Sequence, residues 1–419
     1  MAEASSSSAA PPTAHECDSK KSKRAKLAPR TLQRAVDGQP PAVARCYPHE
    51  YDAQLRAKVR RAEGLLRGAI GNETLPPVSI FESAREHFRM RATFKLWYEE
   101  DGMHYAMFEK DDTRLPHEVV QYPMGSERLC SLMAPVLAAI NSSDELRLKA
   151  DYCSFLTTRA TDDALVTITY NKPLSEDTWS AAASRLVGEL GPSVKLVGRS
   201  KGVKLVVGGD SLSETLHVPH GRGVCQYDQT EGAFTQPNAA VCEQMLGWAY
   251  EATAGSEGSD LCELYCGSAC FTVALAPRFR SVVATEVSKA SVALAKKNLE
   301  RNNLCNVKVA RLSADEFSQA MRGERPFARL DDAGVALPGA YSFETLLVDP
   351  PRSGLDQVCI DLASGFRRVV YISCNPETLA RDVGALHGTH TLVRLAAFDQ
   401  FPYTEHLECG VVLERRRVT

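Results

Sequence analysis

Apolar residues follow two different grammars along this chain. In Tyr51–Arg67 and Leu129–Ile140 they recur every three or four positions, the period of an amphipathic helix. In Met90–Tyr98, His104–Phe108 and Leu165–Tyr170 they alternate with polar residues, which reads as strands joined by turns. This mixture predicts an α+β domain over residues 47–230. From about Gly232 the grammar changes. Leu261–Tyr265, Ser281–Thr285, Val307–Ala310, Thr345–Val348, Arg368–Ile372 and Leu392–Phe398 are short apolar runs, as expected of strands buried on both faces. Helical patterns at Phe271–Ala276 and Lys289–Asn302 fall between them, and Leu407–Leu413 reads as a final strand. Alternating strands and helices predict a doubly wound α/β sheet over 231–419, with ligands at the carboxyl ends of its strands.

The first 46 residues carry no such period. They open with Ala, Ser and Pro, hold eight Lys and Arg against four acids, and include a basic run at Lys20–Lys26. A disordered basic tail is expected, its cluster reading as a nuclear address, an RNA-attracting tail or a solvated patch. The whole chain of 419 residues has a net charge of −3, so no bulk basicity announces a nucleic-acid binder. Positive charge is instead local. Lys195, Arg199, Lys201 and Lys204 lie in an acid-free stretch expected to touch RNA phosphates. Arg85, Arg89, Arg91 and Lys95 interleave with Phe88, Phe94 and Trp97, which suits phosphate contact with base stacking, or a plain hydrophobic core.

No apolar run is long enough to cross a bilayer, so no membrane partner is expected. Thirteen scattered cysteines without a secretory leader predict reduced thiols in an intracellular, cytoplasmic protein, or a nuclear one if the tail is an address. Cys262, Cys266 and Cys270 are four apart, which is not a zinc spacing, and no metal site is expected.

Four strings carry chemistry. Gly267 follows a strand, and Glu286 ends the next strand nineteen residues later, the arrangement that holds a ribose in nucleotide-type α/β domains. The absence of G-x-G-x-x-G counts against NAD. Asp349 ends a buried strand, and Pro350 and Pro351 stiffen the loop after it. Cys374 ends another strand, before Asn375 and Pro376 as cap and first residue of a helix, whose dipole should lower the thiol pKa. Glu408 shares a strand face with His406 beside apolar residues, where a carboxyl pKa rises toward that of a general base.

Together the strings resemble the tRNA (uracil-5)-methyltransferases, which make ribothymidine in the T-loop. The resemblance runs from about Tyr51 to the end, through Phe234-Thr235-Gln236-Pro237-Asn238, Glu263-Leu264-Tyr265-Cys266-Gly267, Asp349-Pro350-Pro351-Arg352-Ser353-Gly354, Ser373-Cys374-Asn375-Pro376-Glu377 and Phe401-Pro402-Tyr403-Thr404 with Glu408-Cys409-Gly410. It implies a Rossmann-like S-adenosylmethionine-dependent methyltransferase domain behind an N-terminal RNA-binding domain. It also implies Cys374 as the nucleophile toward uracil C6, Glu408 as the base that removes the C5 proton, and Gln236, Tyr265, Glu286 and Asp349 around the cofactor. The partner implied is the T-arm of tRNA, bound by a monomer that flips the target base out of folded RNA. Two departures stand out: Ala269 replaces the family's second glycine and Cys270 its asparagine, which should reshape the loop and weaken cofactor binding. Sister enzymes that act on ribosomal RNA carry clustered cysteines for an iron–sulfur centre. Here Cys17, Cys46, Cys130, Cys153 and Cys225 lie far apart, so no cluster is expected. The competing readings are an rRNA uracil-5 methyltransferase without its barrel and an RNA-folding protein with weak catalysis.

Overall fold

A computed structural model describes residues 31–109, 112 and 114–417. In chain order its strands begin with β1 (Val78–Phe81), β2 (Arg91–Glu99), β3 (Gly102–Phe108), β4 (Pro116–Glu118), β5 (Ala150–Thr157) and β6 (Ala164–Tyr170). β7 (Val194–Ser200), β8 (Val203–Val207), β9 (Ser211–Val218) and β10 (Gly223–Thr230) follow. The rest are β11 (Asp260–Leu264), β12 (Ser281–Thr285), β13 (Val307–Ala310), β14 (Phe343–Val348), β15 (Arg368–Ser373), β16 (His390–Phe398) and β17 (Glu408–Arg415).

Strands β2–β8 build a seven-stranded sheet in the order β4-β3-β2-β5-β6-β7-β8, antiparallel except for β6 beside β7. Its alternating apolar side chains pack under the helices Glu127–Ser142 and Glu176–Leu190. Phe88 and Phe94 are buried in this core, Phe94 with its ring centroid 5.1 Å from that of Tyr105, so neither ring presents a stacking face. β9 and β10 form a separate hairpin.

Eight strands, in the order β1-β16-β17-β15-β14-β11-β12-β13, form the second sheet. β11, β12, β14 and β15 run parallel, and their residues are almost all buried because helices cover both faces. A Rossmann-like α/β body behind an α+β unit is therefore the architecture. No helix among the described residues is long and apolar enough to cross a membrane.

The expected boundaries do not divide the fold. The helix Tyr51–Ile70 and β1 belong to the α/β body, not to the α+β unit: β1 pairs in parallel with β16, Val78 opposite Leu395. Tyr51, Leu55 and Leu66 share a core with Leu264, Val348 and Leu379. The expected tail is also shorter. Residues 31–46 dock on the seven-stranded sheet, with Leu32 and Ala44 buried and the Gln33 amide donating to the Pro116 carbonyl at 2.8 Å. The basic run Lys20–Lys26 lies outside the described residues.

Most of the local cations are already engaged. Arg199 makes a two-pronged pair with Glu231, Lys204 donates to Asp210 at 2.7 Å, and Lys195 to the Ser211 carbonyl at 2.7 Å. Arg85 pairs with Asp52, and Lys95 with Asp151. The acid-free stretch finds acids elsewhere, Asp210 just after β8 and Glu231 beyond the β9–β10 hairpin, so three of its four cations are engaged within the protein.

One buried pair joins the chain's two ends. Lys58 reaches Asp399 at 2.5 Å and the carbonyls of Phe401 and His406 at 3.2 Å each, with both charged groups nearly out of solvent. It thereby holds the loop that leads into Glu408. Replacing Lys58 with Met should leave the Asp399 charge buried and unpaired, at a cost of about 3–5 kcal/mol. Urea unfolding of the variant checks this, and a loss below about 1 kcal/mol, the worth of an exposed pair, would show that the clamp carries little.

Candidate active site

A cavity of about 480 Å³ opens at the carboxyl ends of β11, β14 and β15, and Gln236, Tyr265, Gly267, Asp349, Cys374 and Glu408 all face it. Each is delivered by the end of a regular element. Asp349 is the first residue after β14, and Pro350 and Pro351 prevent the strand from continuing. The loop then turns at Gly354, with φ of +74°, where a Cβ would lie 2.6 Å from Asp382 Oδ2. Cys374 is the first residue after β15. Asn375 caps the helix Pro376–Leu386 by accepting from the Glu377 amide, and its Nδ2 donates to the Arg352 carbonyl at 2.9 Å. One side chain thus ties the Asp349 loop to the Cys374 loop.

β17 runs antiparallel beside β15 with Ser373 opposite Cys409. The next step of that register sets Cys374 beside Glu408, the first residue of β17. His406 lies in the loop before the strand and shares no strand face with Glu408, contrary to the sequence reading.

Burial governs the ionisation of this site. It pushes Glu408 well above the usual carboxyl range. The neighbouring Asp349 adds to the rise, and the Arg352 guanidinium opposes it. Burial raises Asp349 as well. Glu263, on the cavity wall, goes up to about 8 for the same reason, with Asp349 adding to it. The Cys374 thiol is raised, not lowered: burial comes first, then Glu408 and Asp349, and the nearby Arg352 pulls it back. The helix dipole expected to acidify Cys374 is outweighed by two carboxyls and the loss of water.

The loop after β11 is shaped to let a ligand near its backbone. Tyr265, Gly267 and Ala269 have φ of +60°, +55° and +69°. Ala269 therefore adopts the left-handed turn despite its methyl group, at a strain of about 1–2 kcal/mol. The Tyr265 ring lines the cavity, while its hydroxyl lies 3.2 Å from Cys359 Sγ. Glu286 is half-buried beside this loop, its carboxylate accepting from the amides of Gly267, which lines the cavity, at 3.1 Å and of Ser288 at 2.7 Å.

Several lining residues had no assigned role in the sequence reading. One carboxylate oxygen of Glu263 is buried with no hydrogen-bond partner among the described residues. With Asp349 and Glu408 it makes the cavity hungry for positive charge, and this donor set fits a cofactor that carries a cationic centre. The polar residue inside an apolar run of β11 was the available signal. Phe234 is 65% exposed on the rim, with the Arg91 guanidinium 5.0 Å from its ring centroid, a platform on which a planar base could stack. Arg91, grouped in the sequence with surface cations, is thus part of the site. Cys374 also faces a second cavity of about 180 Å³, lined by Arg61, Arg352, Asn375 and His406. The thiol sits where the two cavities meet.

A family model described as tRNA (Uracil-5-)-methyltransferase matches residues 50–416. A tRNA/tmRNA (uracil-C(5))-methyltransferase of Azotobacter vinelandii is 50% identical over 369 residues, covering 88% of this chain and 98% of the relative. Its counterpart in Ectopseudomonas mendocina is 49% identical over the same shares. Among solved structures, the tRNA (uracil-54, C5)-methyltransferase of Pyrococcus abyssi, in complex with S-adenosyl-L-homocysteine, superposes with a TM-score of 0.66. It is 20% identical and the match covers 87% of this chain and 83% of that one, a likeness of fold.

The electrostatics predict how Cys374 reacts. The pH midpoint for its alkylation by iodoacetamide, followed by peptide mass spectrometry, should lie above the ordinary thiol value of 9.0. Arg352→Gln should move the midpoint higher, because it removes a guanidinium that favours thiolate. A wild-type midpoint below the ordinary value would mean that the helix dipole prevails after all.

Proposed function

Because the chain belongs to the tRNA (uracil-5-)-methyltransferase family, we propose that it methylates C5 of uracil 54 in the T-loop of tRNA. It is an S-adenosylmethionine-dependent enzyme, and when bound that cofactor supplies the methyl group. Glu263 and Asp349 would face its positive charge, Gln236 and Tyr265 the rest of its body, and Glu286 would hold the Gly267 turn against it.

The observation that carries the reading is the adjacency of Cys374 and Glu408 across the end of one strand pair. Uracil C5 is a poor nucleophile until a group adds to C6. The Cys374 thiolate forms a sulfur–carbon bond to C6, and the ring electrons move to C5 as an enolate. Once C5 carries its methyl group, Glu408 takes the C5 proton. The electron pair of that C–H bond restores the C5–C6 double bond and expels the thiolate. Burial of Glu408 makes its carboxylate a strong base for that single step.

The base must leave the RNA stack to reach the thiol, and the smaller cavity beside Cys374 offers the way in. Arg61, Arg352 and the Phe234–Arg91 platform stand near the openings, where phosphates and neighbouring bases of the T-arm would pass.

Transcripts of tRNA carrying 5-fluorouridine at position 54 should trap the wild-type enzyme as a denaturation-resistant adduct, because fluorine cannot leave as a cation. Cys374→Ala should trap none, and a uridine-to-cytidine change at position 54 should abolish methyl incorporation. Adducts formed by Cys374→Ala would overturn the assignment of the nucleophile. Methylation of rRNA but not of tRNA would overturn the substrate.

A further inference from the structure

Two cysteines with no part in this chemistry face each other on the wall of the main cavity. Cys242 lies in the first turn of the helix Ala239–Ala252, and Cys270 opens the helix Cys270–Leu275. Their sulfurs are 3.8 Å apart, and both side chains line the cavity. Cys242 is buried, whereas Cys270 is half-buried. The Tyr227 hydroxyl donates to the Cys270 carbonyl at 2.8 Å, which anchors the backbone on that side. A disulfide needs the sulfurs about 2 Å apart, so the two side chains must rotate toward each other from their 3.8 Å separation.

We propose that Cys242 and Cys270 form a redox-sensitive dithiol that a low-molecular-weight disulfide oxidises, and that this oxidation weakens cofactor binding. The inference rests on the reading of this cavity as the cofactor site. Cys270, the more exposed thiol, loses its proton to solvent, attacks one sulfur of the small disulfide and releases the other half as a thiolate. Cys242 then gives its proton to that thiolate and attacks the Cys270 sulfur of the mixed disulfide, expelling the second thiolate. Two protein thiols are oxidised, and one small disulfide is reduced to two thiols. The order follows the environment: the hydrogen bond to Cys270 and burial hold the Cys242 thiol well above its ordinary pKa, so it is the poorer first attacker and reacts once the mixed disulfide on Cys270 stands beside it.

The consequence follows from what each cysteine is attached to. Cys270 ends the loop of Tyr265 and Gly267, and Cys242 lies in the first turn of the helix that follows Gln236 and is capped by Asn238. A covalent link draws these two walls of the cavity together and fixes a loop that already carries left-handed backbone at Ala269.

The test uses the full chain with Cys374→Ala, so that the reactive thiol does not report. The protein is incubated with oxidised glutathione, digested and mapped by mass spectrometry, and its affinity for S-adenosylhomocysteine is measured by calorimetry before and after. The expected result is a peptide linking Cys242 to Cys270, together with a fall in affinity of at least about tenfold that dithiothreitol reverses. Cys242→Ala and Cys270→Ala, each in that background, should show neither the link nor an oxidation-dependent loss, whatever their starting affinity. Absence of the link, a link from Cys270 to Cys225 or Cys266 instead, or a link with unchanged affinity would overturn the proposal. Reduced protein that fails to bind S-adenosylhomocysteine would overturn the cofactor reading and leave the link itself to be read by the peptide map.

Discussion

Strand β17 lies antiparallel between β15 and β16, and its hydrogen-bond ladders on both sides fix the register that sets Glu408 beside Cys374. A slip of one residue would turn Glu408 out of the cavity and bring Cys409 or Leu407 in. Packing guards the register. At Gly410 a Cβ would lie 2.7 Å from the Trp248 ring and 3.1 Å from that of Phe398, so no other residue fits at this third position of the strand without displacing a buried aromatic. The chemistry assigned to Cys374 and Glu408 therefore rests on backbone pairing more than on any contact between the two side chains.

The rest of the architecture serves that pairing. The parallel strands β11 and β14 end at the level of the cavity and deliver the Tyr265–Gly267 turn and Asp349. Asn375 binds the Asp349 loop to the nucleophile loop. From the far end of the chain, Lys58 clamps Asp399 and two carbonyls ahead of Glu408. The site holds two buried carboxyls, Glu263 and Glu408, and the half-buried Asp349, with Arg352 as the guanidinium that acts on both Glu408 and Cys374. Keeping them together is unfavourable for folding. The same burial raises their proton affinity and gives the cavity its demand for a cationic ligand.

Much of this was legible in the chain before its structure. In the α/β half, strands are buried on both faces, so they read as apolar runs, and Ser281–Thr285 and Val307–Ala310 appear with those bounds. Cys374, Asp349, Tyr265 and Gln236 converge because strand ends in such sheets share one edge. Tertiary partners were not legible. Nothing in Val78–Phe81 says that it caps the open edge at β16, more than three hundred residues away, and nothing around Leu32 announces its docking. The cations of β7 and β8 looked free because their acids, Asp210 and Glu231, follow outside the window. The thiol's direction of shift was misread because the dipole is local and visible in sequence, while Glu408 and Asp349 are brought to it only by folding. Glu286 was legible as a conspicuous acid after a strand, but its hydrogen bonds to the Gly267 and Ser288 amides were not.

The central claim is the division of labour between a nucleophile at C6 and a base at C5. Its most direct test follows tritium released from tRNA carrying [5-³H]uridine, alongside methyl incorporation from the cofactor. The wild-type enzyme should release tritium and incorporate methyl groups in equal amounts. Glu408→Gln should transfer the methyl group yet retain the tritium, with the RNA still attached to Cys374. Release of tritium by Glu408→Gln at the wild-type rate would contradict the account, because some other group would then be removing the C5 proton.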